Sequence, residues 1–529
     1  MKVLKTIEGL RSCLAIWRQP SADDYPAIAS IGLVPTMGAL HAGHMSLIHR
    51  ARQENDRIVV SIFVNPLQFG PTEDLEAYPR MLDNDLAQCE AASVDAIFCP
   101  LPHTLYPQSP NQSPPFLMTQ VIPVADMMRS LCGAYRPGHF SGVTTVVAKL
   151  FNLVAPERAY FGQKDAQQLA IIKQMVRDLN WPVTVVGCPI IREADGLAHS
   201  SRNRYLSQQD RQHANVLYQS LNAAKTAFME GEKQGQALIN IVKETLSPVP
   251  SLRVQYIELV HPETLEPVEH IETVGLLAIA AYLGDTRLID NVLLRSRRPI
   301  VAIDGPAGAG KSTVARLVAD KLGLMYLDSG AMYRAITWKV LESNVDPADE
   351  IAVAEILADC QIRLATEPAT QSNVGITRVW VNDQDVTHAI RSPDVTGHVS
   401  TVAAQPVVRE VLLKQQQAYG EQGGVVMEGR DIGTQVFPFA ELKVFLTASV
   451  HERARRRQKD MAAQNQPPMS LEALQHAIDE RDHKDSTRTV APLRQAKDAV
   501  ELFTDGLSIE AVVEKIVGLY RQRLEDDQN

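Results

Sequence analysis

Two short stretches of the sequence carry side chains whose types and spacing suit phosphate chemistry. The first, PTMGALHAGH over residues 35–44, sets two histidines and two glycines directly after the apolar run IASIGLV. His41 and His44 stand three apart, so they share a face at the first turn of a helix, and Gly43 between them lets a ligand lie against the backbone. Such a pair could bind zinc, but a third and fourth ligand would be needed and no Glu or His stands nearby at a matching spacing. It could also simply cap the helix, or its imidazoles could meet the phosphates of a nucleotide beside the positive helix end. The second stretch, GPAGAGKST from Gly305, satisfies G-x-x-x-x-G-K-[ST] with Gly305, Gly310, Lys311 and Ser312. Its glycines let backbone N–H groups wrap phosphates, Lys311 can bridge the β- and γ-phosphates, and Ser312 offers a hydroxyl to Mg²⁺. A glycine-rich turn without a ligand is the plain alternative.

Both stretches need a strand before them and a helix after them, and the chain provides both. PIVAID precedes Gly305; STVARLVADKLG follows, with Val314, Leu317, Val318 and Leu322 on one helical face and Gly323 as a stop. Further apolar runs, RIVVSIFV (57–64), VDAIFCP (94–100), WPVTVVGCPII (181–191) and ELKVFLTAS (441–449), have the length and β-branched content of strands buried on both faces. The fold class expected is therefore α/β with parallel sheets. The segment 100–116 is proline-rich and reads as loop. At 529 residues the chain exceeds one core, and a prior of ~150 residues per domain suggests three or four folding units. LLRSRRPIVAID passes from a basic patch to a fresh buried strand, which places the domain junction near 294–298 and divides the chain into 1–295 and 296–529.

The composition narrows the function classes. A net charge of −10 gives no electrostatic case for binding nucleic acid or a membrane surface. MKVLKTIEGL lacks an apolar signal-peptide core, and VGLLAIAAYL (274–283) is far shorter than the ~20 residues that span a bilayer. Six cysteines without CxxC spacing argue against structural disulfides and cysteine-held zinc. A cytoplasmic protein is expected.

A phosphate-binding loop alone does not separate kinase, GTPase and motor ATPase. The second half also carries LDSGAMYR (327–334), EGRDIG (428–433), the arginine cluster HERARRR (451–457) and RDHKDSTR (481–488), and no NKxD. Several cationic segments beside one such loop suit two polyphosphate groups meeting in line. Residues 298–529 resemble the bacterial cytidylate kinases over nearly their whole length, which implies a P-loop nucleoside monophosphate kinase fold, a parallel sheet flanked by helices. The resemblance assigns ATP to Gly305, Gly308, Gly310, Lys311, Ser312 and Thr313, with Lys311 catalytic, Ser312 on the Mg²⁺ that accompanies ATP, and Arg456 among the lid arginines at 453–457. It assigns the acceptor's phosphate and sugar to Ser329, Arg334, Arg430, Arg481, Asp485 and Arg488, and its cytosine to Ser400, Arg409 and Asp431. The last group falls partly in an insertion at roughly 361–421; a capping Ser400 and a surface Arg409 are the alternative. Lys484 stands where the family often has arginine, which keeps the charge but loses bidentate geometry.

In the first half, FVNPLQF (63–69) ends a strand with Asn65 and Gln68 at the carboxyl edge where open α/β sheets bind ligands. YFGQKDAQQ (160–168) offers Lys164, Asp165 and paired glutamines, and ADGLAHSSRNRYLS (194–207) offers Ser200, Ser201 and Arg202 in a polar loop. With RPGHFSGVTTVVAKLFN and the closing GDTRLIDN, residues 3–294 resemble pantothenate synthetase (pantoate–β-alanine ligase). The resemblance implies a Rossmann-like class I synthetase/nucleotidyltransferase fold with a small C-terminal subdomain. It also implies a two-step reaction: pantoate carboxylate attacks ATP to give pantoyl adenylate and pyrophosphate, then the β-alanine amine displaces AMP. His44 is implied as the catalytic histidine with His41 beside it, and Lys164 and Arg202 as further catalytic cations. ATP would also meet Met37, Gly38, Gly43, Gly162, Asp165 and Ile191, and on the polar loop His199, Ser200 and Ser201. Gln68, Gln168 and Asn65 would hold pantoate and β-alanine. His199 departs from the family's usual leucine or methionine.

The two resemblances imply Mg²⁺ with ATP in both halves, no zinc and no organic prosthetic group. Pantoate, β-alanine, ATP, CMP and dCMP are the implied small-molecule partners, with a homodimer through the first half. An aminoacyl-tRNA synthetase would need an anticodon-binding domain and a basic surface, and a cytidylyltransferase would typically end in an ISSTxxR-like element where this chain has HSSRN. A degenerate nucleotide-binding scaffold would have no need of His44, Lys164, Lys311 and the arginine set together.

Overall fold

The apolar runs become the central strands of two parallel sheets, one in each half of the chain. The structure, a computed structural model, describes residues 1–19, 30–70, 75–76, 78–106, 118–296, 298–366, 377–463, 469–487 and 491–528. By internal contacts it divides into two units, Met1–Ser296 and Arg297–Asn529. The length prior of three or four folding units resolves into these two because the first gathers a sheet domain and a subdomain together.

In the first unit β1 (Lys2–Leu4), β2 (Ile31–Thr36), β3 (Arg57–Ile62), β4 (Ala96–Phe98), β5 (Arg158–Gly162) and β6 (Thr184–Cys188) form one sheet in the order β1-β4-β3-β2-β5-β6. Every pairing in it is parallel. Successive residues along each strand enter opposite cores. Leu33, Val59, Phe98 and Phe161 pack on one side, and Val34, Val60, Ile97 and Tyr160 on the other. That is why these strands read as continuous apolar runs rather than alternating ones. The order reverses between β2 and β5, so the loops leaving their carboxyl ends open a crevice there.

The apolar run 274–283 is β8 (Val274–Leu283), the middle strand of an antiparallel sheet with β7 (Leu252–Val260) and β9 (Thr286–Arg295). Helices Val216–Met229 and Gly235–Leu246 share a separate hydrophobic cluster with its strands, which makes this the small subdomain.

In the second unit β10 (Val301–Asp304), β11 (Met325–Asp328), β15 (Val425–Gly429), β16 (Leu442–Thr447) and β17 (Val500–Phe503) form a parallel sheet in the order β11-β15-β10-β16-β17. Alternation again feeds two cores: Ala302, Leu327 and Met427 face one, Val301, Ile303 and Val426 the other. Between β11 and β15 the chain adds a small antiparallel sheet of β12 (Ile362–Thr366), β13 (Thr377–Val381) and β14 (Gln384–Asp385), then helices Pro393–Ala404 and Pro406–Glu421. No helix among the described residues is long and apolar enough to cross a membrane, and all six cysteines are free.

Candidate active sites

The first site grows from the carboxyl ends of β2 and β5. After Thr36 the chain turns through Gly38 and Ala39, both at positive φ (82° and 49°), before helix Ala42–Glu54 begins. That turn is held from the side. The Thr36 hydroxyl accepts from the Gly38 N–H, and the carboxylate of Asp85, 1% exposed, accepts from Ala39 and Leu40 N–H at 2.8 Å each. Motif reading missed Asp85, because nothing in its own helix marks it as serving a loop 45 residues away.

His41 is the N-cap of helix Ala42–Glu54, and its Nδ1 accepts from the Gly43 N–H at 3.1 Å. The capping role therefore holds and does not compete with the phosphate role. With Nδ1 accepting, the neutral ring carries its proton on Nε2. Gly43 also leaves room for the cap: a Cβ there would lie 2.9 Å from the folded-back His41 ring. The His41 and His44 rings lie 4.1 Å apart, and His199 stacks on His41 at 6.1 Å, almost parallel. Three imidazoles thus stand in a row. Burial, then the neighbouring His44 and Lys164, holds the His41 pKa at about 3; burial and Lys164 hold His44 at about 4. Both are neutral donors or acceptors at physiological pH. The His44 Nδ1 is enclosed, with no hydrogen-bond partner among the described residues.

Lys164 and Asp165 leave β5 just past Gly162, where an added Cβ would meet nothing within 4 Å. Asp165 N-caps helix Ala166–Asp178 by accepting from the Gln168 N–H. Burial lowers the Lys164 pKa; the charge of Arg202 lowers it further, while Asp290 and Asp165 oppose them. Asn291 donates to the Lys164 carbonyl at 2.9 Å, tying the GDTRLIDN segment to this corner. The polar loop closes the row: His199 N–H donates to the Ile191 carbonyl, and Ser200 caps the short turn Ser201–Tyr205, its hydroxyl accepting from Arg202 N–H.

The glutamine pair separates. Gln167 is buried and spent on Met127, Ser130 and Gly133, whereas Gln168 stays partly open on the helix's first turn. Asn65 differs from its expected role as a substrate contact. It is fully buried, with Nδ2 donating to Gly142 O and Oδ1 accepting from Tyr106 and Leu67. Its side chain is consumed in fixing the turn that carries Gln68. Gly142 permits this close approach, since a Cβ there would lie 2.2 Å from the Leu67 carbonyl. The Gln68 carbonyl also accepts from His139 and Arg136, residues of the RPGHF segment.

The second site collects at the carboxyl ends of β10, β15 and β16. Gly305, Gly308 and Gly310 all take positive φ, and Gly310 starts helix Lys311–Leu322. At Gly305 a Cβ would lie 2.0 Å from the Leu446 carbonyl, so only glycine fits. Lys311 curls back to donate to the Pro306 carbonyl at 2.8 Å. Burial and the charge of Arg430 pull its pKa down to about 7, against the pull of Glu428 and Asp304. Ser312 and Thr313 are exposed at the helix start, with Ser312 hydrogen-bonded to Glu428. From helix Val450–Ala463 two arginines reach the loop's carbonyls: Arg453 meets Ala307, and Arg456 meets Ala309 and Thr504.

The loop after β15 holds residues that the sequence resemblance assigns to the acceptor. Arg430 donates to Asp485 at 2.9 Å, and Asp431 receives Arg409 at 2.6 Å. Arg409 is 6% exposed and lies over the Tyr333 ring, so it is no surface charge. Ser400 is exposed inside helix Pro393–Ala404, whose cap is Ser392. Ser329 donates to the Glu428 carbonyl, and Arg334 pairs with Asp328 at 2.9 Å. Arg481 and Asp485 lie on helix Leu471–Thr487; Arg488 falls outside the described residues. Asp304, Asp328 and Glu428 were given no role by the sequence reading, although Asp328 and Glu428 lie inside LDSGAMYR and EGRDIG, because a carboxylate at a strand end does not show which partners it will meet. Among the described residues no three His, Cys, Asp or Glu side chains gather as a ligand set for a metal ion.

Comparison with known proteins adds a consistent pattern. A profile of the pantoate-beta-alanine ligase family matches residues 2–293, and one of the cytidylate kinase family matches residues 301–522. The "Bifunctional pantoate ligase/cytidylate kinase" of Trichormus variabilis is 56% identical over 536 residues, covering 99% of both chains. The protein of the same name from Nostoc sp. is 59% identical over 496 residues, covering 94% of this chain and 92% of its own. Among solved structures, pantothenate synthetase from Thermus thermophilus is 44% identical with a TM-score of 0.51, covering 55% of this chain and 99% of its own.

Proposed function

The chain belongs to the bifunctional pantoate ligase/cytidylate kinases, and from that premise we propose how its two sites divide the work. The enzyme joins pantoate to β-alanine with ATP, and it phosphorylates CMP. The observation that carries the ligase assignment is the cluster of His41, His44, Lys164 and Arg202 over the β2–β5 crevice.

In the ligase site the pantoate carboxylate attacks the ATP α-phosphorus, and pyrophosphate leaves. The Nε2–H of neutral His41 and the ring of His44 donate to phosphate oxygens as charge develops, and Lys164 and Arg202 neutralise the departing pyrophosphate. Burial disfavours the Lys164 ammonium, and a bound phosphate would offset that by supplying the opposite charge. Met37, Gly38 and Gly162 line the nucleotide's path, with Asp165 and Ile191 toward the nucleoside and Ser200 and Ser201 on the phosphates. Gln68 and Gln168 hold pantoate, and Asn65 acts behind Gln68 rather than on substrate. The β-alanine amine then attacks the acyl carbon of the adenylate, and AMP leaves.

In the kinase site the amides of the Gly305–Gly310 loop and Lys311 cradle the β- and γ-phosphates of ATP. Arg430 and Arg481 hold the acceptor phosphate in line, with Ser329, Arg334, Asp485 and Arg488 completing its phosphate and sugar contacts. Ser400, Arg409 and Asp431 face the cytosine of CMP or dCMP. The exposed Ser312 hydroxyl beside the Glu428 carboxylate is an oxygen donor set of the kind Mg²⁺ accepts. Mg²⁺ bound with ATP would sit at Ser312 and screen phosphate charge. We further propose a cytoplasmic enzyme, split functionally at residue 296, that dimerises through its ligase half.

The test is a pyrophosphate-release assay with pantoate, ATP and Mg²⁺, run with and without β-alanine, beside an ADP-release assay with CMP. Pyrophosphate release that needs pantoate and is independent of tRNA supports the ligase reading; its absence defeats it.

A further inference from the structure

Asp304 is the last residue of β10 and stands immediately before Gly305, yet no step above uses it. It is 4% exposed. Its carboxylate is committed to the neighbouring strand's loop: Oδ1 accepts from the Ile432 N–H at 2.8 Å, and Oδ2 from the Gly433 N–H at 2.7 Å. Those amides directly follow Arg430 and Asp431 and open the turn Ile432–Val436. Because Asp304 pairs with Gly429 across the β10–β15 ladder, the loop leaves β15 beside Asp304 and is caught again by it three residues later, at Ile432.

Burying a carboxylate is unfavourable, and here burial, reinforced by the nearby Asp431 charge, pushes the pKa up to about 6, against the two amides and Lys311. An aliphatic side chain would fill the space more easily, but it would fix no backbone. Two charge-assisted bonds to consecutive amides set both the position and the tilt of residues 431–433. The Arg430 side chain is also held by Asp485, and the Asp431 carboxylate by Arg409. Asp304 is the group that joins this stretch to the strand ending in the phosphate cradle.

We propose that Asp304 is a positioning residue for the acceptor nucleotide: it ties the loop bearing Arg430 and Asp431 to the strand that ends at the ATP cradle, so acceptor groups stay in register with Lys311. The inference rests on the assignment of Arg430 and Asp431 to the acceptor.

The test is Asp304→Asn in the full-length chain. Asparagine keeps one acceptor oxygen but turns an NH₂ group against the second amide. The KM for CMP should rise about tenfold, the equivalent of one lost charge-assisted hydrogen bond. The KM for ATP should rise clearly less, because Asp304 reaches Lys311 only through its charge, and the ligase rate should not change. A merely structural loss would lower kcat and leave both KM values alone; that result, or an equal rise in both, overturns the proposal. Should the asparagine variant fail to fold, Gly433→Ala serves, since its Cβ would press on Asp304 Oδ2 and on the flexible Lys443 side chain, each at 3.2 Å, without removing charge. The same selective rise in the CMP KM is expected there, and an unchanged value overturns the proposal. Asp431→Ala measured in parallel separates the two levels. If it leaves the CMP KM untouched, the acceptor assignment is wrong; if it raises KM while Asp304→Asn does not, only the positioning role fails.

Discussion

The Arg409 guanidinium lies 2.6 Å from the Asp431 carboxylate, with both side chains largely withdrawn from solvent. A buried ion pair in a kinase cleft suggests a reader of the base, because every nucleoside monophosphate presents the same phosphate. Cytosine shows an N4 amino donor beside N3 and O2 acceptors, which calls for one acceptor and a donor pair. Asp431 and Arg409 offer such a set, and the Arg409 Nε has no hydrogen-bond partner among the described residues. A wrong base would leave these groups unpaired, a penalty that can reach ~10⁴-fold in discrimination. Asp431→Ala is expected to cut kcat/KM for CMP and dCMP sharply and to narrow the gap to UMP and AMP, with ATP affinity hardly moved. Steady-state kinetics with the four acceptors decides it; an unchanged CMP preference would move the base reader elsewhere.

His44→Ala should remove ligase chemistry and spare the kinase, because each site lies within its own unit. Losing a donor to developing phosphate charge typically lowers the rate ~10²–10³-fold. Pantoyl adenylate formation is the quantity to follow, and near-wild-type turnover would remove His44 from the mechanism. Lys311→Ala should do the converse, abolishing CMP phosphorylation while pantothenate synthesis continues.

Much of both proposed sites was legible because the residues assigned to phosphate come in tight local patterns. Lys311 and Ser312 are fixed by their neighbours in sequence, and the strand before them by its β-branched run. The doubly buried strands were equally readable, since residues such as Leu33 and Val34 enter different cores. What the sequence hid is long-range hydrogen bonding. Asp85 serves a loop 45 residues away and Asp304 one 128 residues away, and neither carboxylate sits in a recognisable pattern. Asn65 misled for the same reason: a polar residue at a strand's carboxyl end has the placement of a ligand contact, and only its three partners reveal it as support. The resemblance assigns His199 to the ATP loop, but its stacking on His41 became visible only in the fold.

The histidine pair gives a pH dependence with a definite sign. In the folded protein His41 and His44 titrate at about 3 and about 4, mainly because burial disfavours the charged ring. In the unfolded chain both titrate near ~6.5. Between those values the unfolded state binds more protons than the folded one, so stability of the nucleotide-free enzyme should fall as pH drops from about 6.5 toward 4. His44→Gln should flatten that slope. Calorimetric unfolding at pH 7, 6 and 5, compared between wild type and variant, tests it; parallel slopes would mean the histidine is already charged in the folded state.

Each half should fold and work when expressed alone, cut near Ser296. The ligase unit has its own sheet with a core on each face and a third core in the subdomain. The kinase unit likewise has a core on each face of its sheet. Each family profile is satisfied within one unit, residues 2–293 and 301–522. Units of roughly this size bury enough apolar surface to be stable alone, where a fragment below about 40 residues is not. Residues 1–295 and 296–529 are to be expressed apart, then assayed for pantothenate synthesis and CMP phosphorylation. Retention of kcat and both KM values within about twofold is the expected result, as for changes at distant, independent sites. An insoluble or inactive half would show that the join is structural, and a soluble half with altered KM would show that one activity is set by the other unit.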